Sequence, residues 1–173
     1  MPEMVEFDVV ELPETDHVSV GETAPDFTRP LVNSEFWEDR SLSSLLADGP
    51  VLLVAYPMDG AFPATYIWKE IADRGWTDAI DVVGIGISTP YEHGTLLSER
   101  DVDARLFSDP GASVLEEYGV TNDLDGMTGI VDARPAVFAI DEDRTVRYAW
   151  VADEHPEFPP YDAIGEAIDD LTA

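Results

Sequence analysis

The feature that most constrains the fold is a continuous apolar run over residues 51–56 that ends at Pro57. A run of this length and composition is typical of a β-strand that is covered on both faces of a sheet. A turn containing Gly60 follows, and Pro63 suits the first turn of a helix that is predicted over residues 63–74. The strand, the turn and the helix together predict a sheet with helices packed against it.

Later segments repeat this alternation of strands and helices. Residues 5–12 alternate apolar and acidic side chains and predict a half-exposed strand, whereas residues 13–50 carry turn residues and are predicted to be irregular. The order predicts an α/β protein with a central mixed sheet flanked by helices, parallel early and antiparallel late, which is the thioredoxin-like arrangement. We expect residues 1–17 to form an N-terminal strand extension and residues 18–173 to form a single domain. The remaining predicted elements are strands at 82–87, 136–140 and 145–151, and helices at 91–100, from 108 to about 119, and at 161–171.

The chain carries a strongly negative charge. It has 37 acidic residues and 9 basic ones, which gives a formal net charge of −28, and Lys69 is its single lysine. Self-repulsion of this size strains a compact state at low ionic strength, whereas in molar salt the Debye length falls to about 3 Å. This composition is typical of a salt-filled cytoplasm and predicts a halophilic archaeon as the source, with an acidic protein of an ordinary mesophile as the alternative.

The same charge argues against two classes of partner. Nucleic acids and anionic membranes both require basic patches, and the basic residues of this chain are scattered. The first residues lack the basic and apolar regions of a signal peptide, and no apolar run approaches the ~20 residues that span a bilayer. We therefore expect a cytoplasmic protein that binds neither nucleic acid nor membrane.

Four landmarks follow one another in a fixed order over roughly residues 18–151. They are Val20-Gly21-Glu22-Thr23-Ala24-Pro25-Asp26-Phe27-Thr28, Tyr56-Pro57-Met58-Asp59, Ser88-Thr89-Pro90-Tyr91-Glu92-His93, and Leu106-Phe107-Ser108-Asp109-Pro110 followed by Glu117-Tyr118-Gly119-Val120. With these landmarks the chain resembles peroxiredoxins of the alkyl hydroperoxide reductase/thiol-specific antioxidant family, most of all the branch of the bacterioferritin comigratory proteins. The resemblance implies a peroxiredoxin-type thioredoxin-like fold, thiol-dependent peroxide reduction and a homodimer paired through loops near the active site.

The catalytic motif of that family has lost its functional side chains in this chain. The resemblance places a threonine four residues after Pro57 and the peroxidatic cysteine seven residues after it, where this chain has Ala61 and Ala64. The supporting arginine of the family falls at Pro135, one residue after Arg134. A one-residue slip turns a strand side chain to the opposite face, whereas a bulge at the proline returns it, so both orientations of Arg134 stay open.

Loss of the cysteine removes the family's chemistry. Peroxide reduction requires a polarisable sulfur that attacks the O–O bond and becomes a sulfenic acid, and the methyl group of Ala64 has no lone pair. The chain contains no cysteine at any position. We therefore predict a catalytically inactive homologue without a cofactor, which binds or scaffolds an unidentified protein partner. The alternative is an oxidoreductase that uses a metal or a cofactor at the same pocket.

Three weaker patterns complete the prediction. Residues 121–132 resemble a calcium-binding loop through Asp123, Asp125 and Asp132, but a threonine replaces the first aspartate of such a loop. A solvated acidic turn is therefore the preferred interpretation, and a calcium-dependent module is the alternative. The histidines are far apart, lack metal-ligand spacing and are predicted to lie on the surface. The third pattern is a group of aromatic residues around the degenerate motif: Phe36, Trp37, Phe62, Tyr66, Trp68 and Trp76. We expect them to pack in the core or in a dimer interface, and the alternative is that they form an exposed binding surface.

Overall fold

The structure is a computed structural model that describes residues 10–122 and 128–173. Its helices are α1 (Leu42–Leu46), α2 (Phe62–Arg74), α3 (Trp76–Ala79), α4 (Pro90–Arg100), α5 (Ser113–Glu117) and α6 (Tyr161–Thr172). Its strands are β1 (Val10–Glu11), β2 (Thr28–Val32), β3 (Trp37–Ser41), β4 (Val51–Ala55), β5 (Asp81–Gly86), β6 (Arg105–Ser108), β7 (Thr121–Asn122), β8 (Asp132–Ala133), β9 (Ala136–Ile140), β10 (Val146–Val151) and β11 (Glu154–His155).

Seven of these strands form one mixed sheet in the order β10-β9-β4-β5-β6-β2-β3. The central strands β4, β5 and β6 are parallel. An antiparallel hairpin of β9 and β10 lies beside β4, and a second antiparallel hairpin of β2 and β3 lies beside β6. Two short pairs, β1 with β11 and β7 with β8, lie outside this sheet. The predicted α/β fold with a central mixed sheet, parallel early and antiparallel late, is confirmed.

Side chains alternate between the two faces of the central sheet. In β4, Val51, Leu53 and Ala55 pack in one core cluster, and Leu52 and Val54 pack in a second cluster on the other face. The first cluster includes side chains of α1 and α5, and the second includes side chains of α2, α3, α4 and α6. Because helices cover both faces, the strand is apolar at every position, as its sequence indicated.

Helix α2 approaches β5 closely at a glycine. A Cβ atom added to Gly84 would lie 2.5 Å from Cζ2 of Trp68 and 2.6 Å from Cδ2 of Leu106. The indole of Trp68 is fully buried and packs edge-on against the ring of Tyr56, with ring centroids 5.4 Å apart. This close packing fixes the position of α2 on the sheet.

The prediction that residues 13–50 are irregular is wrong, since they contain β2, β3 and α1. Strand β3 lies at the sheet edge and reads Trp-Glu-Asp-Arg-Ser, so it carries no apolar alternation that could reveal it. In β2, Pro30 pairs with Asp39 of β3, whereas the pairing with β6 involves only Leu31 and Val32. The proline therefore lies where no bond to β6 is required of its nitrogen.

The helix predicted from residue 108 is also wrong at its start, because residues 105–108 form β6 and α5 begins only at Ser113. A turn separates the two elements, in which the Asp109 carboxylate accepts hydrogen bonds from the backbone N–H groups of Val114 and Leu115 at 3.0 Å each. These bonds satisfy donors at the start of α5, in the manner of a helix cap.

Near the start of the chain, Val10 and Glu11 pair with His155 and Glu154, so this end of the predicted N-terminal strand packs beside the main sheet. Residues 5–9 of that prediction lie outside the described residues. Within residues 10–122 and 128–173, no helix is long and apolar enough to cross a membrane.

Candidate functional site

The turn between β4 and α2 is the place where the sequence predicted a functional site. Gly60 adopts a left-handed conformation with φ 92°, and Ala61 is the extended N-cap residue of α2. The N–H of Ala61 donates to the carbonyl oxygen of Met58 at 3.1 Å. The helix begins at Phe62, so Pro63 occupies its first turn, where a missing N–H removes no helical hydrogen bond.

The two alanines of the degenerate motif occupy different surroundings. Ala64 is 0% exposed and packs in the core cluster beneath α2, whereas Ala61 lines a cavity of about 130 Å³. Pro57 lines the same cavity, so the structure brings Pro57 and Ala61 together and places the methyl group of Ala64 behind them. The other lining residues are Leu12, Phe62, Pro63, Asn122, Ala133, Pro135 and His155.

The chain's own N-terminal segment covers this cavity. Leu12 lines it, and the Leu12 N–H donates to the carbonyl oxygen of Asp153 at 2.8 Å. The adjoining pair of β1 and β11 brings His155 to the same wall. We call residues 10–13 the N-terminal strap, because they cross from β11 to the cavity beside α2.

Arg134 fastens the N-terminal strap and does not line the cavity. Its guanidinium donates to the carbonyl oxygens of Pro13 at 3.0 Å, Thr121 at 3.3 Å and Ala152 at 3.3 Å. The residues on either side of it, Ala133 and Pro135, do line the cavity. Burial lowers the pKa of Arg134, against an opposing effect of the negative charge of Asp153. The arginine is thus committed to three backbone carbonyls.

A buried hydrogen-bonded network joins the turn to α4. The Tyr56 hydroxyl lies 2.9 Å from Asp59 Oδ1 and 3.0 Å from His93 Nδ1, and His93 Nδ1 lies 2.8 Å from Asp59 Oδ2. The second ring nitrogen of His93, Nε2, lies 3.1 Å from the carbonyl oxygen of Phe107. Tyr56 and His93 are 0% exposed, and the Asp59 side chain is 7% exposed.

These distances assign protons within the network. The Phe107 carbonyl is an acceptor, so Nε2 of His93 carries a hydrogen. The remaining contacts are all satisfied when Nδ1 is also protonated, Asp59 is ionised and the Tyr56 hydroxyl donates to Asp59. Burial, followed by the negative charge of Asp59, raises the pKa of Tyr56 well above its usual value and keeps the phenol neutral. The result is a buried hydrogen-bonded triad of an imidazole, a carboxyl group and a phenol.

Two further contacts hold the turn in place from either side. The Met58 N–H donates to the Asp132 carboxylate at 3.1 Å, and the Asp59 N–H donates to the Ser88 hydroxyl at 2.9 Å. The carbonyl oxygen of Ser88 in turn accepts from the Ser108 hydroxyl at 2.6 Å. The turn is therefore fixed by Ser88, which follows β5 and is itself held by Ser108 at the end of β6, and by Asp132 in β8.

The prediction that the histidines lie on the surface is wrong for His93. A signal was available in α4, whose buried residues His93, Leu96 and Leu97 have the i, i+3, i+4 spacing of one helix face. Asp59 and His93 also follow the carboxyl ends of β4 and β5, which are neighbouring parallel strands and therefore end at the same edge of the sheet.

The calcium-loop candidates are only partly described. Asp132 is 2% exposed in β8, where its carboxylate accepts from the N–H groups of Met58 and Ala133. Asp123 and Asp125 lie outside the described residues, so the choice between an acidic turn and the alternative calcium loop stays open. In the described part of the chain, no group of three or more histidine, aspartate or glutamate residues is arranged to hold a metal ion.

The aromatic residues near the motif divide between the core and the surface. Trp68 is fully buried and Trp76 is 6% exposed. Four others expose between 38% and 57% of their surface and form two separate groups on different elements. Phe36 and Trp37 precede or begin β3, and Phe62 and Tyr66 lie on the first turns of α2.

Known proteins of similar sequence or structure match this chain over most of its length. A Mycobacterium tuberculosis protein provisionally named as a peroxiredoxin is 29% identical over 132 residues, which cover 75% of this chain and 82% of that protein. The crystal structure of peroxidoxin BcpB from the same organism is 27% identical, with a TM-score of 0.72 over 90% of this chain and 97% of that one. The reduced 2-Cys peroxiredoxin of Plasmodium vivax shares the fold at 21% identity, with a TM-score of 0.73 over 88% and 95% of the two chains.

The family assignment rests on a match over most of the chain. Residues 20–149 match the AhpC/TSA family, and this range includes the turn, the network of Tyr56, Asp59 and His93, and all but the last two residues of the two hairpins of the central sheet. The chain therefore belongs to the AhpC/TSA family.

Proposed function

We propose that this member of the AhpC/TSA family does not reduce peroxides through a thiol and that its scaffold serves binding or assembly. The observation that carries the proposal is Ala64, a fully buried methyl group where the family resemblance places the reactive cysteine. No other cysteine is available, because the chain has none. Thiol-dependent reduction of a peroxide requires a sulfur lone pair that attacks the O–O bond, and an alanine supplies none.

The surroundings of the motif support the same proposal. The cavity at the start of α2 is lined in part by Leu12 of the N-terminal strap, and Arg134 donates to backbone carbonyls instead of lining it. A peroxidase requires an open path to its nucleophile and a cation that stabilises the thiolate. Neither requirement is met here, because Leu12 occupies part of that path and the guanidinium of Arg134 donates to backbone carbonyls.

The test is peroxide consumption by the pure protein in about 2 M KCl, where surface repulsion is screened, with a thioredoxin system as the reductant. We expect a rate equal to that of buffer. Peroxide turnover that exceeds buffer and is lost in the Asp59→Asn and His93→Gln variants would overturn the proposal. A turnover that persists in both variants would point to a contaminant, which repurification removes.

An oxidoreductase that uses a metal or a cofactor is the second candidate function. The observation that favours it is the buried network of Tyr56, Asp59 and His93 beside the turn, since buried titratable groups cluster at functional sites. Metal analysis and absorbance of protein purified without chelators test this candidate. A stoichiometric metal or chromophore that is lost in the His93→Gln variant would favour it over the first.

We also propose that the scaffold assembles as a homodimer through an exposed aromatic patch. The patch consists of Phe62, Tyr66 and Phe158, which are 38%, 57% and 39% exposed and contact one another edge-on at 6.3 Å and 6.0 Å between ring centroids. Aromatic residues are enriched at protein interfaces. Light scattering after gel filtration tests this proposal: Tyr66→Ser should shift a dimer towards monomer, whereas the matched control Tyr91→Ser, outside the patch, should not.

A further inference from the structure

We propose that the groove between the β2–β3 turn and α4 binds a small molecule that carries a quaternary ammonium group. The groove has a volume of about 420 Å³ and is lined by three exposed aromatic residues, Phe36, Trp37 and Tyr91. The rings of Trp37 and Tyr91 pack edge-to-face, 5.0 Å apart between centroids at an angle of 74°, and we call this pair the aromatic corner. Aromatic corners of this kind are the usual sites for methylated ammonium ions.

The two elements that carry these rings are rigid. The Asn33 side chain accepts from the N–H groups of Glu35 and Phe36 at 2.8 Å each, which fixes the β2–β3 turn. Trp37 then pairs with Val32 in the sheet. On the other side, α4 begins with a capping box between Thr89 and Glu92, directly around Tyr91. The aromatic corner is therefore preorganised, which lowers the entropic cost of binding.

The helix leaves space beneath the rings. Tyr91, Gly94, Thr95 and Ser98 all line the groove, at the i, i+3, i+4 and i+7 positions of one face of α4. A Cβ atom added to Gly94 would meet nothing within 4 Å, so packing does not require a glycine there. Because glycine in a helix interior is unfavourable, an unforced glycine at this position is best explained by the space that it leaves.

The charge of the groove selects a cation. Glu35 and Glu99 line it, and no arginine or lysine is among the described residues that do so. Neither carboxylate has an ion-pair partner in the described part of the chain. An anionic ligand would meet two like charges, whereas a cation would meet two carboxylates beside three aromatic rings.

The combination of rings and carboxylates distinguishes a quaternary ammonium from other cations. A metal ion or a primary ammonium is strongly hydrated and gains little from an aromatic wall, whereas N-methyl groups lose little hydration and pack against it. The volume of the groove lies in the range of small-molecule sites, which is about 300–1,000 Å³. None of its lining residues lines the cavity at the start of α2, so this inference does not depend on the proposed function.

The test is calorimetric titration of the full chain with choline in about 2 M KCl, which screens unspecific attraction to the acidic surface. The matched probe is 3,3-dimethyl-1-butanol, which has the same shape without the charge. We expect saturable choline binding at least about tenfold tighter than that of the alcohol. Equal binding of the two, or no saturation by choline below about 10 mM, would overturn the proposal.

Variants localise the site. Trp37→Leu and Tyr91→Leu should each weaken choline binding about tenfold, and Trp37→Phe, which retains an aromatic face, should weaken it by less. Val20→Ala is the control, since Val20 is 61% exposed and lies outside both the groove and the aromatic patch of Phe62, Tyr66 and Phe158. Circular dichroism checks that each variant is folded. Unchanged binding in Trp37→Leu would place the ligand elsewhere, and a trimethyllysine peptide that binds more than about tenfold tighter than choline would overturn the small-molecule assignment.

Discussion

The imidazole of His93 and the carboxylate of Asp59 meet at 2.8 Å in the interior of the protein, with Tyr56 in contact with both. Each of these groups is hydrogen-bonded, and the ring also donates to the Phe107 carbonyl. Removing one member of a buried hydrogen-bonded pair leaves a polar group without its partner in the interior, which is strongly destabilising. The pair therefore holds the turn before α2 and makes it sensitive to substitution.

His93→Ala should destabilise the protein by about 3–5 kcal/mol, because it leaves the Asp59 carboxylate buried without its partner and creates a cavity. Urea unfolding in molar KCl measures this free energy. The control is Lys69→Gln, which removes the solvent-exposed ion pair with Asp73 and should leave the unfolding midpoint almost unchanged. Equal midpoints for the two variants would show that the network is not structural.

Two glycine-to-alanine substitutions should change the stability of the protein in opposite directions. Gly84→Ala places a Cβ atom 2.5 Å from Trp68 and 2.6 Å from Leu106, and overpacking of a core costs about 1–3 kcal/mol. Gly94→Ala meets nothing within 4 Å in α4 and should stabilise the fold by about 0.4–1 kcal/mol. Thermal unfolding of both variants checks the prediction, and destabilisation by Gly94→Ala would contradict the open groove.

Ala64→Cys should introduce a thiol that reacts poorly. The position is 0% exposed, and burial in apolar surroundings raises a thiol pKa, while Arg134 is occupied by backbone carbonyls. This thiol is the single sulfhydryl of the variant, so labelling with Ellman's reagent reports it alone. We expect labelling on the order of 100-fold slower than in the unfolded chain, because it requires local opening, and no peroxide turnover.

The opposite result for Ala64→Cys would contradict this prediction. Fast labelling together with peroxide reduction would mean that the start of α2 is still accessible and still stabilises a thiolate. The double variant Ala61→Thr with Ala64→Cys tests whether restoring both lost side chains is sufficient. Activity in the double variant alone would assign the loss to both positions together.

Stability should fall in alkaline solution above about pH 10, the ordinary pKa of tyrosine. Burial, followed by the charge of Glu70, raises the pKa of Tyr161 to about 12, and burial also raises the pKa of Tyr56 and Tyr118. Because the pKa of Tyr161 is higher in the folded state, the unfolded chain ionises first as the pH rises above about 10. The folded state therefore loses stability progressively until the pH passes about 12. Circular dichroism and tyrosinate absorbance should therefore change together, and Tyr161→Phe should move the transition to higher pH.

Stability should rise with salt concentration. A formal charge of −28 on 173 residues repels itself at low ionic strength. We expect a higher melting temperature in about 2 M KCl than in about 0.1 M KCl, since the Debye length falls from about 10 Å to below 3 Å. A melting temperature that is independent of salt would count against adaptation to a salt-filled cytoplasm.

The sequence predicted those strands and helices in which burial determines where the apolar residues stand. Strands β4, β5 and β9 are covered on both faces, and their apolar runs were sufficient to locate them. Strand β3 was missed because it is an edge strand of polar residues, and β6 was missed because Arg105 and Ser108 leave it only two apolar positions. Such strands are determined by their neighbours in the sheet, which local sequence does not encode.

For the candidate site, counting residues from Pro57 located the two alanines, but it did not determine the direction of Arg134. That direction depends on a contact with Pro13, 121 residues away in sequence. The partnership of Asp59 with His93 was also missed, since it joins the ends of two strands that only the sheet brings together.

The N-terminal strap has a consequence for the order in which the protein folds. Its residues are synthesised before the groups that hold it, Arg134 and Asp153, which lie more than 100 residues later in the sequence. Contacts so distant in sequence form late, because a long loop must close before they are made. The cavity beside α2 is therefore sealed in one of the last steps of folding, and until then the nascent chain exposes Leu12 to solvent.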